Sequence, residues 1–229
     1  TLMIHTGVFE PTIPVDVSNA EVAAAAGYDI RAIAEKKDRA YATQALSEGM
    51  KKLIPQLYAD KKFDGILAFG GTGGTSIVTP GMQGLPIGVP KIMVSTVASG
   101  DVSVYVGTSD IIMYPSIVDV SGINSLSVKI FTNAAHAMAG MLNYEVKQEV
   151  RPKPLIAATM FGVTTPCVDA ARKYLEEKGF EVLVFHATGI GGRTMETLTK
   201  SGFFAGVLDL TTTEWCDQLF GGVLAAGEH

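Results

Sequence analysis

Four glycines and three hydroxyls follow directly on an apolar run, where Gly65-Ile66-Leu67-Ala68 leads into Phe69-Gly70-Gly71-Thr72-Gly73-Gly74-Thr75-Ser76. Glycine permits positive φ and lets the backbone approach a ligand closely, so successive N–H groups can converge on one anion. A helix after such a turn adds unpaired N–H groups and the positive end of its dipole. The chemistry is recognition of a phosphate or a carboxylate. Gly70, Gly71, Thr72, Gly73, Gly74 and Thr75 are the candidate cradle, and the stretch does not say which molecule carries the anion.

A second run has the same form. Val182-Leu183-Val184-Phe185-His186 is followed by Thr188-Gly189-Ile190-Gly191-Gly192-Arg193-Thr194. Gly191, Gly192 and Arg193 are candidates here, because an arginine beside a helix start can give one anion two hydrogen bonds. The alternative for Arg193 is an ion pair with Glu196. Neither run is a Walker A loop, since no Lys-Ser/Thr follows the glycines. Neither is a dinucleotide fingerprint, since Thr194 stands where the third glycine belongs. Two such turns suggest paired half-sites facing one cleft. The structural alternative is that the glycines only turn the chain.

Between them lies Ser95-Thr96-Val97-Ala98-Ser99-Gly100-Asp101, after the apolar run 91–95. Ser95, Thr96 and Ser99 can donate to phosphate or ribose oxygens. Gly100 belongs to the same loop, and Asp101 can hold a ribose hydroxyl or Mg²⁺ through water. The competing role for Ser99 or Asp101 is a helix cap. Asp209 and Glu214 are weaker ligand candidates, and Asp110 and Asp119 read as turn residues. No Ser/His/Asp triad or histidine pair with metal spacing can be assigned. His136 reads as a packed or interface residue, whereas His186 ends a strand beside the second turn. No catalytic residue is assigned and no metal site is expected.

The elements that must position these residues alternate. Strands are predicted at Leu2–Val8, Gly65–Phe69, Lys91–Ser95, Ile111–Tyr114, Pro154–Met160, Glu181–His186 and Ala205–Leu210. Short, continuously apolar, β-branched runs are what a parallel sheet covered on both faces requires. Ser18-Asn19-Ala20-Glu21 has capping-box spacing and opens a short Ala-rich helix. Residues 38–60 show helical periodicity, with Pro55 expected to kink or restart the helix. The longest helix is predicted over 124–145, with small residues from Ala134 to Gly140. Pro152 and Pro154 place a lobe boundary at 150/151. Later helices are predicted near 165–178, 193–200 and 213–220. The fold class is α/β, two Rossmann-like lobes with mainly parallel sheets: 1–150 carries the first glycine turn and 151–229 the start of a second, incomplete lobe. The opening inside a strand and the ending at His229 read as a fragment or a split gene product.

Composition narrows the partners. The 229 residues are 47% hydrophobic and 18% charged with net charge −5, which fits a globular chain and not a dedicated nucleic-acid binder. No apolar span has the length of a transmembrane helix. Cys167 and Cys216 have no metal or redox spacing and read as reduced thiols, so a cytoplasmic location is expected.

Taken together, Phe69–Ser76, Met93–Gly107, Thr108–Asp119, Thr188–Thr194 and Asp209–Glu214 resemble the tomato mosaic virus resistance protein-like ATP-binding domain family, over essentially the whole chain. That resemblance implies a pair of Rossmann-like lobes, nucleotide binding and homodimerisation. It also implies a domain that begins before the region matching Thr1 and continues beyond His229. The expected function is binding of a nucleotide, ATP with Mg²⁺, in a regulatory or assembly role. The alternative is an enzyme acting on a small phosphorylated or carboxylated metabolite, and a third reading is a structural subunit. A homodimer is expected as well, since the small-residue helix permits close approach.

Overall fold

A computed structural model describes residues 1–143 and 153–227. They fall into two compact units, Thr1–Val146 and Lys147–His229. The lobe boundary expected at 150/151 lies outside the described residues.

The first unit opens with α1 (Asn19–Ala25), α2 (Ile30–Lys36) and α3 (Arg39–Ala59), followed by β1 (Ile66–Gly70), α4 (Thr72–Gln83), β2 (Lys91–Ser95), α5 (Ser103–Val106), β3 (Ile112–Pro115) and α6 (Ser125–Asn143). The capping box forms as its spacing requires, with the Ser18 backbone donating to Glu21 Oε2 at 2.8 Å and Glu21 N donating to Ser18 Oγ at 3.2 Å. α2 and α5 are too short for periodicity to reveal. The Asp29 carboxylate nevertheless caps α2 at Arg31 N, 2.8 Å away.

The strands pair in the order β1-β2-β3, all parallel. Alternation sorts the strand side chains onto two faces. Ile92 and Val94 pack under Ala134 and Met138 of α6. Met93 faces the other way, into the larger core with Leu46, Met50, Ile77 and Met82 of α3 and α4. Two glycines fix how closely these helices approach. A Cβ on Gly49 would lie 2.0 Å from Val22 O of α1, and one on Gly81 would lie 2.8 Å from Met50 O of α3.

Two expectations need correction. Residues 2–8 are not a strand of the sheet: only an isolated bridge between Ile4 and Val17 forms, with His5 N donating to Val17 O at 2.9 Å. Leu2, Ile4 and Val8 pack onto the larger core instead, so apolar burial holds the segment without a ladder. Of the two effects expected of Pro55, a kink or a restart, the restart does not occur, since α3 runs unbroken through it. The carbonyl deprived of a donor belongs to exposed Lys51, where water can serve it, and the ring fits against Gly84, whose Cβ would lie 2.7 Å from Pro55 Cγ.

The second unit contains β4 (Leu155–Met160), a 3₁₀ turn (Gly162–Thr164), α7 (Thr165–Glu177), β5 (Glu181–His186), α8 (Ile190–Lys200), β6 (Gly206–Leu208) and α9 (Thr213–Phe220). Its parallel sheet has the order β5-β4-β6. Ala158 and Val182 form its core with Val168 of α7. The predicted strand 205–210 shortens to β6 because Asp209 leaves the ladder to accept a hydrogen bond from Thr159 Oγ1 at 2.7 Å. Among the described residues, no helix is long and apolar enough to cross a membrane.

Candidate functional site

Register brings Gly70 of β1, Ser95 of β2 and Pro115 of β3 level at the carboxyl edge of the first sheet. That edge is where open α/β sheets bind ligands. The glycine turn is tighter than its sequence suggests. β1 ends at Gly70 and α4 begins at Thr72, leaving Gly71 alone as the connection and placing Gly73, Gly74 and Thr75 in the first helical turn.

None of Gly70, Gly71, Gly73 and Gly74 has positive φ, and Gly71 is extended at φ −78° and ψ −164°. Positive φ is therefore not what requires glycine here. A Cβ on Gly70 would sit 3.1 Å from Gly74 Cα, so Gly70 serves close packing. Gly73 and Gly74 are open: the first atoms a Cβ would meet are Arg39 Nη2 at 3.5 Å and Phe69 O at 3.9 Å. No side chain caps α4, and its first intrahelical bond is Thr75 N to Gly71 O, 2.9 Å. The amides of Thr72, Gly73 and Gly74 have no acceptor among the described residues.

The hydroxyls expected to serve a ligand divide into two groups. Thr75 Oγ1 donates to Gly71 O at 2.8 Å, so its 2.6 Å contact with Ser95 Oγ is donated by Ser95, which in turn accepts from Val97 N at 3.2 Å. Thr75 and Ser95 are buried braces with their protons already committed. Thr96 and Ser99 line a cavity of about 380 Å³ at the ends of β2 and β3, with Ser95, Ser116, Ile117, Val118 and Asp119. Gly100 and Asp101 lie outside that lining. Asp101 accepts from Ser103 N at 2.9 Å, and this backbone bond, with the Ser103 side chain second, holds its carboxyl below the usual aspartate range. Its carboxylate is thus committed to the first amide of α5, one residue outside the N-cap position at Val102.

One residue of this edge carried no signal in the sequence. Arg39 is the first residue of α3, and with Thr43, Gln44, Ser47, Thr72, Gly73 and Ser76 it lines an open groove of about 810 Å³ over the start of α4. Arg39 is exposed and forms no ion pair among the described residues. A guanidinium at the positive end of a helix is electrostatically unfavourable by itself. An anion between the two would reverse that sign.

The second glycine turn has a different state. Glu214, buried on α9, accepts from Gly192 N at 3.1 Å and from Gly189 N. A carboxylate of the chain itself thus occupies the start of α8. Gly189 takes φ +83°, and a Cβ on Gly191 or Gly192 would fall 1.8 Å from His186 O or 2.0 Å from Glu214 Oε2. Arg193 forms no ion pair with Glu196 among the described residues, and its Nε donates to Gly189 O at 3.2 Å. His186 lies against the Phe161 ring, 5.4 Å between centroids, and His136 is exposed on α6. Among the described residues no group of three or more His, Cys, Asp or Glu side chains could hold a metal ion.

The chain matches the models of an uncharacterised protein family, UPF0261, its N-terminal domain over residues 1–147 and its C-terminal domain over 153–229. A UPF0261 protein of Clostridium tetani is 50% identical over 230 residues, covering 100% of this chain and 57% of that protein. One from Rhizobium meliloti is 48% identical over 227 residues, 99% of this chain and 56% of its own length. The ToMV resistance protein Tm-1(GCR237) of Solanum lycopersicum is 45% identical over 192 residues, 82% of this chain and 26% of the tomato protein. The chain spans just over half the length of these bacterial relatives.

Proposed function

This chain belongs to the UPF0261 family, and on that premise we propose that its first unit binds a nucleotide through the start of α4, with ATP as the ligand. One observation carries the reading. The unpaired amides of Thr72 and Gly73 and the guanidinium of Arg39, which forms no ion pair among the described residues, line one groove, and the unpaired amide of Gly74 follows them in the same helical turn. Donors of a helix N-terminus and a fork of charged donors together form a phosphate clamp.

Among the described residues, Arg39 and Asp119 are the ionisable side chains that line these two cavities. Neither lining holds a histidine or a cysteine, residue types that commonly serve as base or nucleophile. This supports binding in a regulatory or assembly role over turnover. The resemblance to an ATP-binding domain family supports ATP over a simple metabolite. Mg²⁺ would enter on the phosphates, because Asp101 lies outside both linings. The reading includes a cytoplasmic homodimer. Both cysteines are free and exposed, and Ala135, Ala139 and Leu142 lie exposed on one side of α6, where a second copy can approach.

Calorimetric titration with ATP and with tripolyphosphate tests the clamp. Arg39→Ala is expected to weaken both by at least about tenfold, roughly one charged hydrogen bond, without changing thermal stability. Equal affinity in the variant would remove Arg39 from the site. Release of inorganic phosphate from ATP by the wild-type protein would replace the regulatory reading with an enzymatic one. A light-scattering mass of a single 24.2 kDa chain at micromolar concentration would exclude the dimer.

A further inference from the structure

We propose that the cavity at the ends of β2 and β3 is a diol site, in which Asp119 accepts two vicinal hydroxyls of a sugar, Thr96 and Ser99 bond its remaining oxygens, and Ile117 covers the ring. The cavity measures about 380 Å³, ample for one sugar ring. Two of its hydroxyls are already committed: Ser95 to Thr75, and Ser116 to Val118 O at 2.7 Å. Thr96 Oγ1, Ser99 Oγ and the Asp119 carboxylate remain, each without a side-chain hydrogen bond among the described residues.

This set selects its ligand by chemistry. A carboxylate only accepts, and a serine or threonine hydroxyl both donates and accepts. Two adjacent hydroxyls satisfy that combination, while a phosphate here would meet the Asp119 charge. A second carboxylate, which would favour a metal ion, is absent from the lining.

The wall is held in a costly conformation. Ile117 has φ +65° and is 67% exposed, an outlier for a β-branched residue. Val118 N donates to Ser116 O at 2.7 Å across it, and the Ser116 hydroxyl closes the same turn. The turn keeps Ile117, beside Val118, at the rim of a cavity whose other lining residues are polar, which suits the apolar face of a sugar ring.

The identity of the sugar's substituent rests on the nucleotide reading. Thr96 stands between the two sites, since a Cβ on Gly71 would lie 3.7 Å from its Oγ1. A phosphate at α4 and a sugar at Asp119 are therefore compatible with one molecule.

Amide NMR titrations with ribose 5-phosphate and 2-deoxyribose 5-phosphate test the diol site. Ribose 5-phosphate is expected to shift the amides at 96, 99 and 119 together with those at 72–74. The 2-deoxy compound is expected to bind at least about tenfold more weakly and to leave 96, 99 and 119 unmoved. Asp119→Asn, at an exposed and unpartnered position that should fold normally, is expected to erase the difference between the two probes. Shifts at 72–74 alone, or a probe difference that survives Asp119→Asn, would overturn the diol site and leave the phosphate clamp standing. Shifts at 96, 99 and 119 alone would uphold the diol site and overturn the clamp. No shift in either region overturns both.

Discussion

Thr75 Oγ1 and Ser95 Oγ lie 2.6 Å apart, buried where the last residue of β2 meets the first turn of α4. Because Thr75 gives its own proton to Gly71 O, the pair runs in one direction, Ser95 to Thr75 to Gly71. It fixes the start of α4 against the sheet and thereby aims the unpaired amides. Thr75→Val keeps the shape and leaves the buried Ser95 hydroxyl without its acceptor, while Gly71 O keeps the backbone bond from residue 75, at an expected cost of about 1–3 kcal/mol. A double-mutant cycle with Ser95→Ala, followed by denaturant unfolding, is expected to give coupling of about 0.5–3 kcal/mol. Strict additivity would mean that the contact contributes nothing.

Gly70 and Gly73 are expected to respond oppositely to a β-branched side chain. Gly70→Val drives a side chain against the backbone of Gly74 and should destabilise the first unit by about 1–3 kcal/mol. Gly73→Val has open space on the protein side, and valine is no worse than glycine in a helix. It should fold with unchanged stability and bind neither ATP nor tripolyphosphate, because its side chain occupies the anion's place. Thermal melts together with titration separate the two outcomes, and full affinity in folded Gly73→Val would sink the clamp.

Glu214 fills in the second unit the role that a ligand would take in the first. Glu214→Ala leaves the amides of Gly189 and Gly192 without their acceptor, at an expected cost of about 2–4 kcal/mol. Glu214→Gln retains an acceptor oxygen and should recover most of that loss. If both variants melt with the wild type, the carboxylate has no capping role.

The Lys91–Asp110 pair ties the amino end of β2 to the loops around it. Lys91 is buried, and its Nζ donates to Pro86 O at 2.8 Å, Val89 O at 2.9 Å and Asp110 Oδ1 at 2.5 Å. Burial pushes the Asp110 carboxyl up, but the bonds from Lys91 and the Gly88 amide outweigh it and bring its pKa below the ordinary value. A depressed folded pKa contributes stability above the unfolded value near 4, and that stability is lost as pH falls through the folded pKa. Asp110→Ala removes the carboxylate partner of buried Lys91 and should cost about 1–3 kcal/mol at pH 7, less than a fully buried pair because the Asp110 side chain is 38% exposed and solvent screens it. The gap between wild type and variant should narrow below about pH 4, read from melting temperature against pH. A gap constant down to pH 2 would exclude the carboxylate charge as its cause.

Residues close in sequence declared most of the architecture. Lys91–Ser95 and Glu181–His186 are apolar runs with one possible role, and the strands match them residue for residue. The Ser18 and Glu21 spacing likewise defined a helix start, because both partners of the box lie within one turn. Periodicity and capping are local, so one chain suffices to read them. What the glycines do is not local. The two turns look alike as strings, yet one leaves its amides open beside Arg39 and the other is closed by Glu214 from a later helix. Ser95 reads like Thr96, but only packing commits its proton to Thr75. Asp119 reads as a turn residue until the carboxyl edge sets it opposite Thr96 and Ser99. The sequence determined where glycine turns lead from strand into helix. Tertiary packing alone decided which has free donors, because the carboxylate that satisfies one and the guanidinium that faces the other arrive from distant parts of the chain.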